Sequence, residues 1–581
     1  MQDWKKLCLC AAALLFVGAS KSSLADEHPR YDVIIRGGTI YDGSGGAPFV
    51  GDVAVTGDRI VAIAPHISAR GRVEVDAHGK AVSPGFINML AHPEESLLVD
   101  GRALSDLVQG VTLEVTGESS MGPLSPDMKA KTAAREGDIK YKVDWTTLGE
   151  FLDRLQKRGI SPNIASFVSE ATIRTDVLGE SNVQPNPVQL RKMRTLVREA
   201  MEQGALGLTT ALMYAPASFA QTPELEDLAR VSAACGGIYI AHIRNEGDRF
   251  VESVQETIDI ARASGAPAEI YHFKQAGRNN WPKLEPAIAK IEAARAAGIR
   301  ITADMYLYTA SATGLSAAMP LWVQDGGLER WIERLKNPAI RARVAAEMRN
   351  AHPKDWDNAY GAAGADGVLL LGFKNPALKP LTGKTLAEVA AARRESPEET
   401  AIDLVIQDGS RIEVAYFEMS EDNVRREVAL PWMSFGSDED APAPEGVFLL
   451  SQDHPRAYGN FARLLGRYVR DDRIIPLREA IRRLTSFPAA NLSLKDRGRL
   501  KPGYYADIVV FTPQTIIDKA TFSKPAQLAT GVDDVLVNGG FAVRDRRPTG
   551  SPTGRFVHGR AWTGAPGGGC RAKAADWSWT P

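Results

Sequence analysis

The sequence predicts an α/β protein in which a (β/α)₈ barrel is inserted into a small β-sandwich that both chain ends build. Two observations indicate this architecture. Short strand patterns separated by glycine turns fill residues 31–84, and the same texture returns at residues 505–513 and 532–545. The centre of the chain instead alternates strand patterns with helical spacing. Strand-rich ends that flank such a centre are typical of a barrel domain inserted into a β-domain.

Eight segments of the centre read as buried strands, and most of them are followed by helical patterns. They are residues 82–90, 111–117, 163–169, 205–214, 237–243, 269–274, 300–306 and 433–437. Eight is the number that closes a (β/α)₈ barrel, whose chemistry sits at the carboxyl ends of the strands. Residues 411–417 also resemble a strand, and we assign them to an insertion at residues 325–426 that is expected to cover the barrel mouth.

The expected domain organisation follows from these patterns. It comprises a signal peptide at 1–25, the first part of the sandwich at 31–84, the barrel at 85–495, the second part of the sandwich at 496–562 and a tail at 563–581.

The first 25 residues have the pattern of an export signal. Lys5 and Lys6 precede an apolar run at residues 7–17, and a small-x-small site ends at Ala25. The run is shorter than a membrane span, and no later stretch is long and apolar enough to be one. We therefore expect an exported protein, periplasmic or secreted, with no membrane span.

Cysteine is used sparingly. Cys8 and Cys10 leave with the signal, so the mature chain keeps Cys235 and Cys570. We expect from this that disulfides do not hold the fold together.

Composition limits the partners. The chain has 581 residues, 24% of them charged, with a formal net charge of -2. That balance provides no basic surface for nucleic acid and no polybasic membrane patch, so a small neutral or anionic molecule is the expected partner. No motif specifies an oligomeric state.

Two histidines carry the central hypothesis. Residues 237–277 read as strand, helix, strand, with His242 and His272 each placed where a strand gives way to a loop. A βαβ unit brings its two parallel strands side by side, so residues at equivalent strand ends face one another. Two imidazoles there can share one metal ion, although a single histidine at a strand end is more often an ordinary hydrogen-bonded residue.

Other polar residues follow the remaining strands. The full set at strand ends is His92, Glu118, Tyr214, His242, His272, Lys274, Tyr306, Tyr308 and Asp438. It contains metal ligands, a carboxylate base and phenol or cation donors. Hydrolysis of an amide requires these groups, because a metal acidifies water and polarises the carbonyl while a carboxylate carries the proton.

Several blocks of sequence together resemble the N-acyl-D-amino-acid deacylases (D-aminoacylases) of the amidohydrolase superfamily. The blocks are YDVIIRGGTIYDGSG with VSPGFIN, ALGLTTALMYAP, AHIRNEGD, IYHFKQAG, ITADMYLYTAS, FGSDEDAP, DHPRAYGNFARLLGRYVR and RGRLKPGYYADIVVF. They follow one another in the same order over residues 31–560. AHIRNEGD, HPRAYG and GSD are the most specific, whereas KPGYYADIVVF identifies only the superfamily.

The resemblance implies roles for residues at matching positions. His242 and His272 would bind zinc, and Asp438 would be the general acid and base. The substrate would be held by Lys274, Tyr214, Arg456 and one tyrosine of the pair Tyr306 and Tyr308. These assignments suit the side chains, because arginine offers a planar fork to a carboxylate and lysine adds a point charge.

The sequence departs from the family at two strand ends. The family ends strand one with an HxH pair, and here the segment is Leu90-Ala91-His92, which leaves His92 as a single candidate ligand. The family ends strand two with a metal-binding cysteine, and here Ser119 stands after Glu118. Serine is a poor zinc ligand and a carboxylate is a good one, so we expect Glu118 to replace the thiolate.

The predicted function is zinc-dependent hydrolysis of N-acyl amino acids, of D configuration by resemblance, with one zinc per chain on His242, His272 and Glu118. Two alternatives stay open. The altered end of strand one is compatible with an amidohydrolase for cyclic amides or other C–N bonds, and also with a binding protein that has lost catalysis.

Overall fold

The computed structural model describes residues 30–564 and Cys570. The predicted signal peptide and nearly all of the predicted tail therefore lie outside the described residues. Among the described residues, no helix combines the length and the apolar character needed to cross a bilayer.

The barrel strands are short and almost completely buried, as expected for parallel strands covered by helices. In barrel order they are Phe86–Asn88, Val111–Thr116, Asn163–Ser166 with Val168–Ser169, Gly207–Ala211, Ile238–His242, Ala268–Ile270, Ile301–Met305 and Met433–Phe435. We call these barrel strands 1 to 8. Each is shorter than the segment that the sequence predicts, because several predicted residues belong to the loops at the strand ends.

Parallel ladders join strands 1 to 3 and strands 3 to 8. Strand 3 contributes both of its halves, which are separated only by Phe167. The ring closes between strands 8 and 1, where the Met89 amide donates to the Phe435 carbonyl at 3.2 Å and the Asp438 amide to the Leu90 carbonyl at 2.8 Å. The predicted barrel is confirmed.

One predicted strand serves two sheets. Residues 82–90 divide into Ala81–Pro84, which pairs with the terminal strand Ile508–Phe511, and Phe86–Asn88, which is barrel strand 1. Gly85 joins the two parts, and a Cβ at this position would lie only 2.0 Å from Thr112 Oγ1. The chain therefore passes from the terminal sheet into the barrel at a point that admits no side chain.

Helices surround the barrel, and local sequence explains their ends. Thr147 and Glu150 form a capping box at the start of Leu148–Arg158. Gly265, with φ of 74°, ends Phe250–Ser264 in the left-handed region. The other helices outside the inserted layer are Ser96–Val99, Leu104–Leu107, Pro126–Arg135, Glu170–Leu178, Pro187–Glu202, Thr222–Ala234, Leu284–Ala296, Glu421–Val428, Arg456–Arg463, the π-helix Leu464–Asp471, Leu477–Leu484 and Ser486–Asn491. Short 3₁₀ helices cover Ala217–Phe219, Arg278–Lys283 and Gly446–Leu449.

Both chain ends build one nine-stranded sheet. Its strands are Tyr31–Ile40, Phe49–Thr56, Arg59–Ala64, Gly71–Asp76, Ala81–Pro84, Ile508–Phe511, Val532–Val537, Gly540–Arg544 and Arg547–Pro548. The antiparallel pair that Val82 makes with Val510 joins the N-terminal strands to the C-terminal ones. A separate apolar core, which includes Val53, Ile508 and Leu536, lies beneath it.

A smaller layer follows barrel strand 7. Its antiparallel sheet has the order Ser311–Gly314, Glu413–Tyr416, Val368–Gly372. Its helices are Leu321–Gln324, Leu328–Leu335, Pro338–Met348, Ala359–Ala363, Leu386–Arg393 and Pro397–Asp408, with 3₁₀ turns at Leu315–Ala318, Ala365–Gly367 and Lys379–Leu381. We call residues 311–418 the inserted layer. It has its own core, and its sheet begins upstream of the predicted bound at residue 325.

The expectation that disulfides do not hold this fold together was wrong. Cys235, directly after helix Thr222–Ala234, forms a disulfide with Cys570, with their Cα atoms 4.5 Å apart. Sparing cysteine use concealed this bond, because two cysteines separated by 335 residues have no local spacing signal.

Candidate active site

The carboxyl ends of the barrel strands and the inserted layer enclose a cavity of about 310 Å³. Its lining includes eight of the ten predicted site residues, namely His92, Glu118, Tyr214, His242, His272, Lys274, Asp438 and Arg456. The structure thus brings together residues from barrel strands 1, 2, 4, 5, 6 and 8.

Glu118, His242 and His272 form the centre of this cavity. Glu118 Oε1 lies 2.9 Å from His242 Nδ1 and 3.9 Å from His272 Nε2. The imidazole rings are perpendicular, with centroids 4.4 Å apart. One ligand atom from each residue lies within 4.8 Å of the others, so the three can converge on one ion. Two imidazoles and one carboxylate are a donor set that fits zinc.

A second group shares Glu118. His92 Nε2 lies 3.3 Å from Glu118 Oε2 and 3.2 Å from Asp438 Oδ1, so these three residues could also hold an ion. Leu90, where the family has the other histidine of the pair, is completely buried and contributes its backbone carbonyl to Asp438. The second group therefore offers a single imidazole and two carboxylates.

Electrostatics keep the central carboxylates ionised. Burial alone would raise the pKa of Glu118, but hydrogen bonds from His242, His272 and His92 outweigh it and hold the pKa well below its usual value. The same competition holds for Asp438, where the charges of Arg456 and the histidines outweigh burial and lower the pKa. Both groups are therefore anionic near neutral pH, as a metal ligand and a proton acceptor must be.

Two site residues adopt an unusual backbone. His272 has φ of 33° and Asp438 has φ of 53°. Residues other than glycine seldom adopt such positive φ angles. The His272 amide donates to Asp304 Oδ1 at 2.8 Å, and the Asp438 amide to the Leu90 carbonyl. Such conformations persist where surrounding contacts enforce them, often at functional sites.

Lys274 and Arg456 both have carboxylate partners. Lys274 Nζ lies 2.6 Å from Glu246 Oε1 and 2.9 Å from His272 Nδ1. Arg456 Nη1 lies 2.7 Å from Asp438 Oδ2, and its Nε donates to Glu439 Oε2 at 3.0 Å. These cations are thus fixed beside the catalytic candidates before any substrate arrives.

The tyrosines divide into two classes. Tyr214 lines the cavity and sets its ring edge against His242, with centroids 5.0 Å apart. The structure does not bring the hydroxyls of Tyr306 and Tyr308 into the cavity, because they donate to Met419 Sδ and Asp518 Oδ2, both at 3.4 Å. Tyr306 instead lies against Arg456, whose guanidinium is 4.4 Å from the ring centroid.

Sequence reasoning missed Glu246. Its Oε1 lies 3.1 Å from His272 Nδ1, and an Nδ1–H that donates to it leaves Nε2 free to bind a metal. Burial would raise the pKa of Glu246, but Lys274 and the two histidines lower it to about 2. The signal was its place four residues after His242, beside the strand end that carries the ligand.

Residues of the inserted layer were missed as well. Ser311, Thr313, Asp357, Glu413 and Glu418 all line the cavity. They come from distant parts of the layer, so no spacing in the sequence connects them with His242 or His272.

Comparison with known proteins agrees with this geometry. A D-aminoacylase of Alcaligenes xylosoxydans xylosoxydans is 32% identical over 540 residues, which cover 92% of this chain and 99% of that protein. The structure of an N-acyl-D-glutamate deacylase from Bordetella bronchiseptica, with zinc and a phosphonate mimic of the tetrahedral intermediate, has a TM-score of 0.75 at 29% identity. That alignment covers 91% of this chain and 99% of the deacylase.

A D-aminoacylase structure described for its binuclear metal centre, with activation by one metal and attenuation by a second, has a TM-score of 0.74 at 30% identity. That alignment covers 91% of this chain and 100% of the D-aminoacylase chain. The sequence profile of the amidohydrolase family matches residues 73–543. The chain therefore belongs to the amidohydrolase family.

Proposed function

We propose that this protein hydrolyses the amide bond of N-acyl amino acids, with the D configuration preferred, and that it depends on a divalent metal. The observation that carries the proposal is the convergence of Glu118, His242 and His272 beside Asp438 in one cavity. The relatives named for deacylation of D-amino acids support the substrate class and its configuration.

The three converging residues would hold zinc, with Glu246 fixing the orientation of His272. When bound, zinc polarises the scissile carbonyl and acidifies water. His242 offers Nδ1 on the side of Glu118, and His272 offers Nε2. Each side chain is almost completely buried, so the protein holds these donors without competition from bulk solvent.

Asp438 would move the proton. Its Oδ2 is paired with Arg456, and its Oδ1 faces His92, which also lies beside Glu118. In this position the carboxylate can accept a proton from the attacking water and pass it to the leaving nitrogen. Arg456 and His92 keep it oriented during both transfers.

Substrate contacts would come from Lys274, Arg456 and Tyr214, which line the cavity. Arg456 and Lys274 can donate to the substrate carboxylate with protons that Asp438, Glu439 and Glu246 leave free. The resemblance offers Tyr306 and Tyr308 as alternatives for this role. Outside the cavity, Tyr306 would instead pack against Arg456, and Tyr308 would hold the loop of Asp518.

An adjoining cavity of about 420 Å³ shares Glu118 and Tyr214 with the first. Met121, Leu124 and Trp145 give it an apolar part that suits an acyl chain. The scissile bond would then lie where the cavities meet, with the amino acid in one and the acyl group in the other.

The proposed stoichiometry is one zinc per chain on Glu118, His242 and His272. The group of His92, Glu118 and Asp438 has one imidazole only, so we expect it to bind a second ion more weakly. Binding of a second ion by this group would compete with the role of Asp438 in proton transfer.

We further propose that the protein is exported. The pattern of residues 1–25 supports this, and so does the disulfide between Cys235 and Cys570, because disulfides persist in oxidising compartments.

The test is hydrolysis of matched amides by the full chain loaded with zinc. We expect turnover of N-acetyl-D-amino acids, much slower turnover of the L enantiomers and none of cyclic amides. Dipicolinate treatment should abolish turnover, and addition of zinc should restore it. Preferential hydrolysis of hydantoins or dihydropyrimidines, or zinc binding without hydrolysis of any amide, would contradict the proposal.

A further inference from the structure

The charges that line the cavity are unequal. Eight acidic residues line it. Among the described lining residues, the only lysine is Lys274 and the only arginine is Arg456. Lys274 is paired with Glu246, and Arg456 with Asp438 and Glu439. A zinc ion would offset part of the remaining negative charge through Glu118.

Four carboxyl groups then remain without a positive partner. They are Asp357, Glu413, Glu418 and Asp440, which we call the uncompensated carboxyls. Among the described residues, no lysine, arginine or histidine lies within ion-pair distance of any of them. Asp357 accepts from the Glu246 amide at 2.6 Å, and Asp440 from the Ala441 amide at 2.7 Å.

Glu418 has an open acceptor. Its Oε1 accepts from Ser311 Oγ at 2.6 Å, whereas its Oε2 is buried and has no hydrogen-bond partner. Only 5% of Glu418 is exposed, and the residue lines the cavity. A buried carboxyl oxygen without a partner is costly, so its presence in a residue that lines a cavity indicates a missing polar partner.

The backbone holds Glu418 in place. Its carbonyl accepts from Trp281 Nε1 and from the Gly277 amide, each at 2.9 Å, and both donors belong to the loop that follows barrel strand 6. That loop also carries Lys274. The backbone of Glu418 is therefore held against the segment that carries Lys274.

Like charges crowd these groups. Burial first, and then the neighbouring charge of Asp357, raises the pKa of Glu418 to about 8. Burial also raises the pKa of Asp357 to about 6, where the charge of Glu246 adds to it. A cationic group among these carboxyls would relieve both the burial and the repulsion.

We propose that Glu418, with Asp357 as its acidic neighbour among the uncompensated carboxyls, forms a subsite for an ammonium or guanidinium group of the substrate. This inference rests on the proposed deacylase function and names its preferred substrate class. The cation belongs to the side chain of the released amino acid if the two cavities divide the substrate as proposed above, and to the acyl group if they divide it the other way.

Matched pairs of substrates test the proposal. N-acetyl-D-arginine and N-acetyl-D-citrulline differ in charge at the side chain, and 6-aminohexanoyl-D-alanine and heptanoyl-D-alanine differ in charge at the acyl end. In the zinc-loaded full chain we expect kcat/KM to favour the cationic member of at least one pair by about 10- to 100-fold, the range for a hydrogen bond to a charged group. The pair that shows the preference identifies the source of the cation.

Glu418→Gln should remove most of this preference through a higher KM for the cationic substrate. Glu427→Gln is the matched control, because Glu427 is also buried, has an unpartnered Oε2 and has a pKa raised by burial to about 8, but it does not line the cavity. The control should keep the wild-type preference. Zinc content and thermal unfolding of both variants identify a folding defect.

Calorimetry separates the two proposals. Zinc-loaded wild-type protein is titrated with two matched pairs, D-arginine with D-citrulline and 6-aminohexanoate with heptanoate. This measurement requires no turnover. Tighter binding of one cationic member without hydrolysis of any amide would support the subsite and refute the deacylase function. Hydrolysis of neutral substrates with equal kcat/KM and equal affinity within both pairs would refute the subsite and leave the deacylase function standing.

Discussion

The two sides of the cavity differ in how their charges are balanced. On the barrel side, Glu118 faces two histidines, Asp438 faces Arg456 and Glu246 faces Lys274. On the side of the inserted layer, Asp357, Glu413 and Glu418 line the same cavity without a cationic partner among the described residues. On the barrel side, Asp440 is the one described lining carboxyl that shares this lack. The difference indicates that the catalytic groups on the barrel side have charge partners before a substrate binds. The carboxyls of the inserted layer would gain a cationic partner only from a bound substrate.

Asp438→Asn gives the largest effect expected on the barrel side. The amide cannot accept the proton, so kcat should fall by about 10²–10⁴-fold while zinc content stays near that of the wild type. Steady-state kinetics with metal analysis of the same preparation checks this. Wild-type rates in this variant would remove Asp438 from the mechanism.

Glu246→Gln tests how the barrel side orients its ligand. The amide weakens the contact to His272 Nδ1 and leaves Lys274 without its charge partner. We expect zinc affinity to fall roughly 10- to 100-fold, as is typical for partners of metal ligands. Competition with a chromogenic chelator measures the affinity. Excess zinc should restore part of the activity, and an unchanged affinity would limit Glu246 to a structural role.

The tyrosines provide a smaller comparison between cavity and surroundings. Tyr214→Phe should lower kcat/KM by about 2- to 10-fold, the usual value of one hydrogen bond, because Tyr214 lines the cavity. Tyr308→Phe is the control, since its hydroxyl lies beside Asp518. A larger loss of kcat/KM from Tyr308→Phe than from Tyr214→Phe would reverse the assignment.

The disulfide lies outside the cavity, so its loss should change stability without changing chemistry. In the double variant Cys235→Ser with Cys570→Ser, we expect unfolding to be easier by about 2–4 kcal/mol and kcat to be unaffected at 25 °C. Thermal unfolding and kinetics of the double variant, compared with the oxidised wild type, measure both. An unchanged Tm would show that the bond adds no stability.

The barrel could be predicted from sequence because its signals are local. Apolar runs define the strands, and helical spacing such as that of Phe250, Val254 and Ile258 defines the layer around them. Parallel strands then place His242 and His272 at neighbouring ends without any knowledge of tertiary contacts. Glu118 followed from its place at the end of barrel strand 2.

The inserted layer could not be predicted in the same way. Asp357 and Glu418 are 61 residues apart in number and reach the cavity only through folding of that layer. The orientations of Tyr306 and Tyr308 depend on packing against Met419 and Asp518, which are distant in sequence. The disulfide depends on where Cys570 returns to the barrel helices, and no local pattern encodes that position.

Metal content tests the central claim most directly. Purified wild-type protein, dialysed against metal-free buffer after zinc loading, should retain about one zinc per chain. His272→Asn and Glu118→Gln should each retain almost none, while His92→Gln should retain the wild-type amount. Equal zinc in the wild type and in the His272→Asn and Glu118→Gln variants would contradict a metal site built from Glu118, His242 and His272.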